Sequence, residues 1–204
     1  MKTYKILFLF LFISTFTFAQ NAKRDFKSAN FEQENQFKIE VSDGVYFINF
    51  CNSKIVETTF YPKGEVKKDE SHAVVLKPTS THIKIDKNNN EIIYKSDGIS
   101  VKIQKSPFQI LYYYKDKLVT SEKQGYFKSK HIPMDLVKGN IVADETEKIE
   151  FNLTEDEVLF GGGARALGMN RRGYRLPLYN RAQYGYETHA ELMNFTIPLV
   201  ISSK

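Results

Sequence analysis

The chain has 204 residues, a formal net charge of +5 and one cysteine, Cys51, so no disulfide framework can form within it. Its 29 basic and 24 acidic residues are interspersed, a distribution that argues for solubility and against a nucleic-acid footprint. Twelve Tyr and sixteen Phe with no Trp suit half-buried pleated surfaces.

The first element is an address. Lys2 and Lys5 form a positive n-region, Ile6 to Ile13 is an unbroken apolar run, and Thr17-Phe18-Ala19 places small residues where a signal peptidase reads. The segment turns polar at Ser14 and Thr15, too early for a membrane span of about 20 apolar residues. Residues 1–19 are therefore expected to be a signal peptide, cleaved after Ala19, with no stable membrane span afterwards. Cleavage removes 19 of 204 residues and two lysines, so +5 falls to +3. Export to the periplasm or the extracellular space is the expectation. Asn21 to Asn35 is polar enough to predict a mobile N-terminal extension over residues 20–35, ahead of one domain over 36–204.

That domain reads as a succession of strands. Phe37 to Val41 alternates apolar and polar, Gly44 to Phe50 does so more loosely, and Ile55 to Phe60 follows the turn Asn52-Ser53. Ile83 to Asp86 and Ile92 to Tyr94 flank an asparagine turn. Ser96-Asp97-Gly98 leads into Ile99 to Ile103, and Pro107 opens Phe108 to Tyr114. Leu118-Val119, Ile149 to Leu153, Val158 to Phe160 and the apolar run Ile197 to Ile201 complete the series. Strands spaced by roughly 8 to 12 residues with turns between them predict an all-β, antiparallel sandwich or barrel. Lys63 to Ser71 reads as a solvated loop, and Lys128 to Ile141 as a long connection without period.

Several chemistries fail on their own terms. Gly161-Gly162-Gly163-Ala164-Arg165-Ala166 can be forced onto a dinucleotide fingerprint, but Gly168, Gly173 and Pro177 follow where a helix would have to, and read as a hairpin. The glycines fit a strand that bends or comes close to another backbone. His72, His82, His131 and His189 have no metal-ligand spacing with each other or with Cys51, so no metal and no other cofactor is expected. Cys51 beside Phe50 reads as a small buried thiol, and the run Glu155-Asp156-Glu157 as a solvated turn.

The stretch Arg165 to Glu187 carries the remaining chemistry. Arg171, Arg172, Arg175 and Arg181 alternate with Tyr174, Tyr179, Tyr184 and Tyr186, with Asn170, Asn180 and Gln183 among them. Aromatic faces can stack on sugar rings while Arg and Asn donate hydrogen bonds, which suits a polyhydroxylated ligand. The same composition also suits a hairpin packed against a neighbouring domain.

Phe160-Gly161-Gly162-Gly163, Arg171-Arg172-Gly173, Leu178-Tyr179-Asn180-Arg181, Tyr184-Gly185-Tyr186 and Ile197-Pro198-Leu199-Val200-Ile201-Ser202-Ser203 resemble, in order, the N-terminal domain of glycoside hydrolase family 31. Its members include α-glucosidases, α-xylosidases and oligosaccharide α-glucosyltransferases. The glycine turn is similar to the family's YGLGE segment and the last run to its IPFLISS strand. The resemblance implies a galactose-mutarotase-like β-sandwich, here incomplete in its last strands, preceding a (β/α)8 barrel that carries an aspartate nucleophile and an aspartate acid/base. No catalytic residue is then expected in this chain, which would be inactive alone and serve an accessory, sugar-binding role toward an α-linked oligosaccharide held with the barrel. It further implies a loop over Asn180, Arg181, Ala182, Gln183 and Tyr184 that reaches the active-site mouth, with Arg181 and Gln183 foremost as sugar contacts. Ala164 and Ala182 depart from the Glu and Asp of many relatives, so substrate preference does not transfer. Two other readings stay open: a free-standing carbohydrate-binding sandwich, and a sandwich that docks a partner.

Overall fold

The computed structural model describes residues 24–66, 74–76, 79–131, 144–180, 185, 187–189 and 193–204. The expected signal peptide lies outside them. Among the described residues there are twelve strands and no helix: β1 (Phe26–Gln33), β2 (Gln36–Val41), β3 (Gly44–Asn52), β4 (Ile55–Pro62), β5 (Lys84–Lys87), β6 (Glu91–Lys95), β7 (Ile99–Lys105), β8 (Phe108–Tyr114), β9 (Lys117–His131), β10 (Asp144–Phe151), β11 (Leu159–Gly161) and β12 (Val200–Ser202). They fall into two compact units, Met1–Asn152 and Leu153–Lys204.

The first unit is an antiparallel sandwich of two meanders, one in the order β1-β2-β3-β4 and the other β10-β9-β8-β7-β6-β5. The alternation in the sequence sets which face is buried. On β2, Phe37, Ile39 and Val41 point inward while Lys38 and Glu40 point out, and on β3 Tyr46, Ile48 and Phe50 join them inside. The opposite sheet contributes Ile92, Tyr94, Val101, Ile103, Phe108 and Ile110. The two layers meet through aromatic rings: Phe37 stacks on Tyr94 with centroids 3.9 Å apart, and Tyr46 lies 5.7 Å from Phe108. At one end, Ser53 O in the β3–β4 turn accepts Ile99 N at 2.8 Å and Ser96 Oγ at 3.1 Å, tying the β6–β7 turn to the other sheet.

Phe37 is 1% exposed and also meets Phe50 edge-on. Phe37→Ala is expected to lower stability by about 3–5 kcal/mol, the usual loss for a buried aromatic truncated to alanine. A urea titration followed by tyrosine fluorescence measures it.

Two expectations are corrected. Residues 26–33, expected to belong to a mobile extension, form β1, which pairs antiparallel with β2 and places Phe26 and Ala29 against the core. The strand expected at Leu118-Val119 runs on to His131, so the start of the predicted long connection is sheet. Cys51 is buried on β3, as a small thiol in that pattern should be. No helix among the described residues is long and apolar enough to cross a membrane.

Candidate functional site

The unit Leu153–Lys204 holds the glycine run and the Arg-Tyr segment. β11 and β12 pair antiparallel, Leu159 opposite Ser202, Phe160 opposite Ile201 and Gly161 opposite Val200. Beyond the strand the glycines keep the same neighbour by backbone alone: Gly162 N donates to Leu199 O and Ala164 N to Phe195 O, both at 2.9 Å. Gly161, Gly162 and Gly163 have φ of 112°, 77° and 83°. A β-carbon on Gly163 would stand 2.5 Å from Phe195 O and 2.6 Å from Thr196 Cα. The run therefore exists to let two backbones touch, which is the close-approach reading of the sequence.

The arginines of this segment are largely spent on the backbone. Arg171 donates through Nε to Gly161 O at 3.2 Å and through Nη1 to Gly168 O at 2.7 Å, while Arg172 Nη1 donates to Thr154 O at 2.5 Å and Glu157 O at 2.9 Å. Asn170 Oδ1 accepts from Leu159 N and Arg172 N. Arg165, 8% exposed, donates through Nη2 to Pro177 O at 2.6 Å. A five-donor fork bridging several carbonyls suits a segment with few backbone pairs of its own. No strand is formed from 162 to 199 among the described residues, so the expected hairpin is an irregular segment braced by side chains.

Glu157 corrects another expectation. Glu155 and Asp156 are exposed, but Glu157 is 3% exposed and accepts from Thr154 N at 2.9 Å and from Ser202 Oγ at 2.6 Å. The Ser202 hydroxyl, then the Thr154 amide, hold its carboxyl below the usual glutamate range. It joins the turn before β11 to β12.

Of the four residues expected to touch sugar, Asn180 is described; Arg181, Gln183 and Tyr184 lie outside the described residues. Asn180 is exposed, and its Oδ1 accepts from Thr196 N at 2.8 Å and Thr196 Oγ1 at 2.7 Å. That pins the carbonyl end of the amide. Beside it Leu178 and Tyr179 are exposed, as are Phe195, Leu199, Val200 and Ile201 on the returning chain.

Sequence reasoning missed one cluster altogether, in the sandwich. Glu122 on β9 is 1% exposed and accepts from Tyr112 at 2.9 Å and Tyr46 at 3.2 Å; Arg24, itself buried, donates to Tyr46, to Tyr126 O at 2.6 Å and to both oxygens of Asp43 at 2.7 Å. No periodicity marks a buried Arg ahead of a strand, so nothing in the sequence alone signals it.

An all-β sandwich of two antiparallel meanders, followed by a segment whose glycines bring two backbones together and which exposes aromatic and amide groups, defines a protein of the galactose-mutarotase-like class. The family described as the glycosyl hydrolase 31 N-terminal galactose mutarotase-like domain matches residues 45–204. The chain belongs to that family. Alpha-glucosidase 2 of Bacillus thermoamyloliquefaciens is 24% identical over 153 residues, which are 74% of this chain and 18% of that protein. Among solved structures, the Flavobacterium johnsoniae GH31 dextranase complexed with glucose superposes with a TM-score of 0.69 at 20% identity, over 88% of this chain and 21% of its own. The cycloalternan-forming enzyme from Listeria monocytogenes, in complex with a pentasaccharide substrate, gives 0.62 at 16% identity, over 88% and 16%. This chain thus spans about a fifth of the length of these relatives.

Proposed function

We propose that this chain is the N-terminal part of an exported family 31 glycoside hydrolase that acts on α-linked oligosaccharides, and that its role is to shape a sugar subsite, with the catalytic pair supplied by a barrel domain. The family match over residues 45–204 carries the reading. The fixed amide of Asn180 and the exposed Leu178 and Tyr179 beside it support a sugar-facing loop that includes Arg181, Gln183 and Tyr184. The exposed apolar side chains of Leu199, Val200 and Ile201 suit cover by further protein, since apolar strand left in water is an unstable surface.

Retaining hydrolysis needs two carboxyl groups about 5–5.5 Å apart across the scissile bond. The purified chain is expected to show no turnover of maltose, isomaltose or aryl α-glucosides; reproducible hydrolysis refutes the accessory role. Saturation-transfer NMR with isomalto-oligosaccharides should show weak contact that falls at least threefold in Asn180→Ala, about the value of one hydrogen bond. An unchanged signal removes Asn180 from the subsite. Export is checked by mass spectrometry of chain recovered from the periplasm or medium, expected to begin at Gln20.

A further inference from the structure

The outer face of the four-stranded sheet has a groove of about 330 Å³ near the β2–β3 turn, and we propose that it binds an acidic oligosaccharide, a short run of uronic-acid residues. This site is separate from the sugar-facing loop proposed above and does not depend on it. The strand register builds it. Glu40, Val45 and Tyr61 stand opposite one another in one row across β2, β3 and β4, and Lys38, Phe47 and Thr59 in the next. On a face that should be solvated, Phe47 is only 9% exposed, with the Tyr61 ring edge-on at 5.8 Å. The floor therefore carries the half-buried Tyr61 ring, set edge-on to the buried Phe47, and a sugar ring can pack against it.

The charges decide the class of sugar. Lys38 and Glu40 neutralise each other at 2.9 Å in the middle of the groove. Lys27 on β1 and Lys63 just after β4 also line it, and neither makes an ion pair among the described residues. With strands about 4.8 Å apart, β1 and β4 are separated by roughly 14 Å, more than one sugar ring. Two lysines without an ion pair among the described residues, at opposite ends of the groove, match a ligand that repeats an anionic group along its length. Glu40 and Glu65 in the walls can accept from sugar hydroxyls, donors that a uronic-acid run carries beside its carboxylates and a poly-glutamate chain lacks. A neutral glucan would leave both lysines unused.

Native affinity electrophoresis of the full chain in gels containing polygalacturonate tests this, with dextran and poly-glutamate gels run beside it. Retardation is expected in polygalacturonate alone. The double variant K27Q/K63Q should weaken it at least tenfold, Tyr61→Ala should weaken it too, and thermal melts should stay within a few degrees of the parent. K84Q/K87Q on β5 controls for loose attraction between a basic protein and a polyanion, and should retain full binding. Absence of retardation, equal retardation by dextran or poly-glutamate, or equal loss in the two double variants overturns the proposal.

Discussion

Glu122→Ala is expected to lower the stability of the sandwich by about 1–3 kcal/mol, the cost of leaving a buried hydrogen-bonding group without its partner. The carboxylate accepts from Tyr46 on β3 and Tyr112 on β8, so one side chain of β9 holds groups from both sheets. Alanine would remove an acceptor from two buried phenols; Tyr112 keeps its bond to Thr58 Oγ1 and Tyr46 the one from Arg24, so the Tyr46 hydroxyl proton is the group left unsatisfied, at about 1–3 kcal/mol. Arg24 would also lose a nearby counter-charge, although its paired bonds to Asp43 survive. Burial opposes the charge on Arg24, but those bonds and the charges of Tyr46, Asp43 and Glu122 outweigh it and raise the guanidinium pKa. The backbone is shaped for the cluster. Gly125 has φ 62°, and a β-carbon there would stand 2.7 Å from Glu122 Oε2 and 2.8 Å from Arg24 Nη1, where β9 and β10 slip register between Glu150 and Phe151.

Glu122→Gln separates the hydrogen bonds from the charge. Burial pushes the Glu122 carboxyl above the ordinary glutamate range, and the bonds from Tyr112 and Tyr46 and the charge of Arg24 only partly oppose it. The folded pKa lies above the unfolded one, so the contribution of Glu122 is complete below the unfolded value near 4.5 and is lost as pH rises through the folded value. From pH 4 to pH 7 the parent should therefore lose stability relative to Glu122→Gln. Urea midpoints for both proteins across that window measure the difference. A parent that gains on the variant with rising pH would show that Arg24 overcomes the burial, reversing the sign.

What the sequence discloses follows from how each segment buries its side chains. β2 and β8 were legible because every second residue is apolar and enters one core. β1 was not: Phe26, Ala29 and Phe31 are diluted by polar neighbours, the strand lies at a sheet edge, and most of it is exposed. β9 hides for a different reason. It buries Ser121 and Glu122, bends at Gly125, and so breaks the alternation that marks a strand. In the second unit the glycines could be read as a close approach of backbones, but the roles of Arg171 and Arg172 could not. An arginine that bridges carbonyls has the same sequence signature as one that awaits a sugar. Glu157 was misread because its two acidic neighbours are exposed, and only the fold shows that Ser202, 45 positions away, turns it inward.

Gly163→Ala is expected to remove much of the stability of the Leu153–Lys204 unit while leaving the sandwich intact. Two costs combine at this position. At φ 83° an L side chain is strained by roughly 1–2 kcal/mol. The new methyl would also press on Phe195 O, Thr196 Cα and Ile197 N, which are backbone atoms and cannot rotate aside, so overpacking adds about 1–3 kcal/mol. At about 0.05–0.15 kcal/mol per residue, a unit of roughly 50 residues has only about 3–8 kcal/mol to lose. Two neighbouring glycines isolate the terms. Gly173 has φ 82° with nothing within 4 Å of where a methyl would stand, so Gly173→Ala should show the backbone strain alone. Gly168 has open space and no positive φ, so Gly168→Ala should be neutral or slightly stabilising. Hydrogen exchange at the paired amides of β11 and β12 reports on this unit separately from the core amides of β7 and β8. The largest loss of protection in Gly163→Ala, a smaller loss in Gly173→Ala and none in Gly168→Ala is the expected order; equal protection in the first two would mean that the returning chain at Phe195 yields to the methyl, and that the glycine run is there for its backbone angles alone.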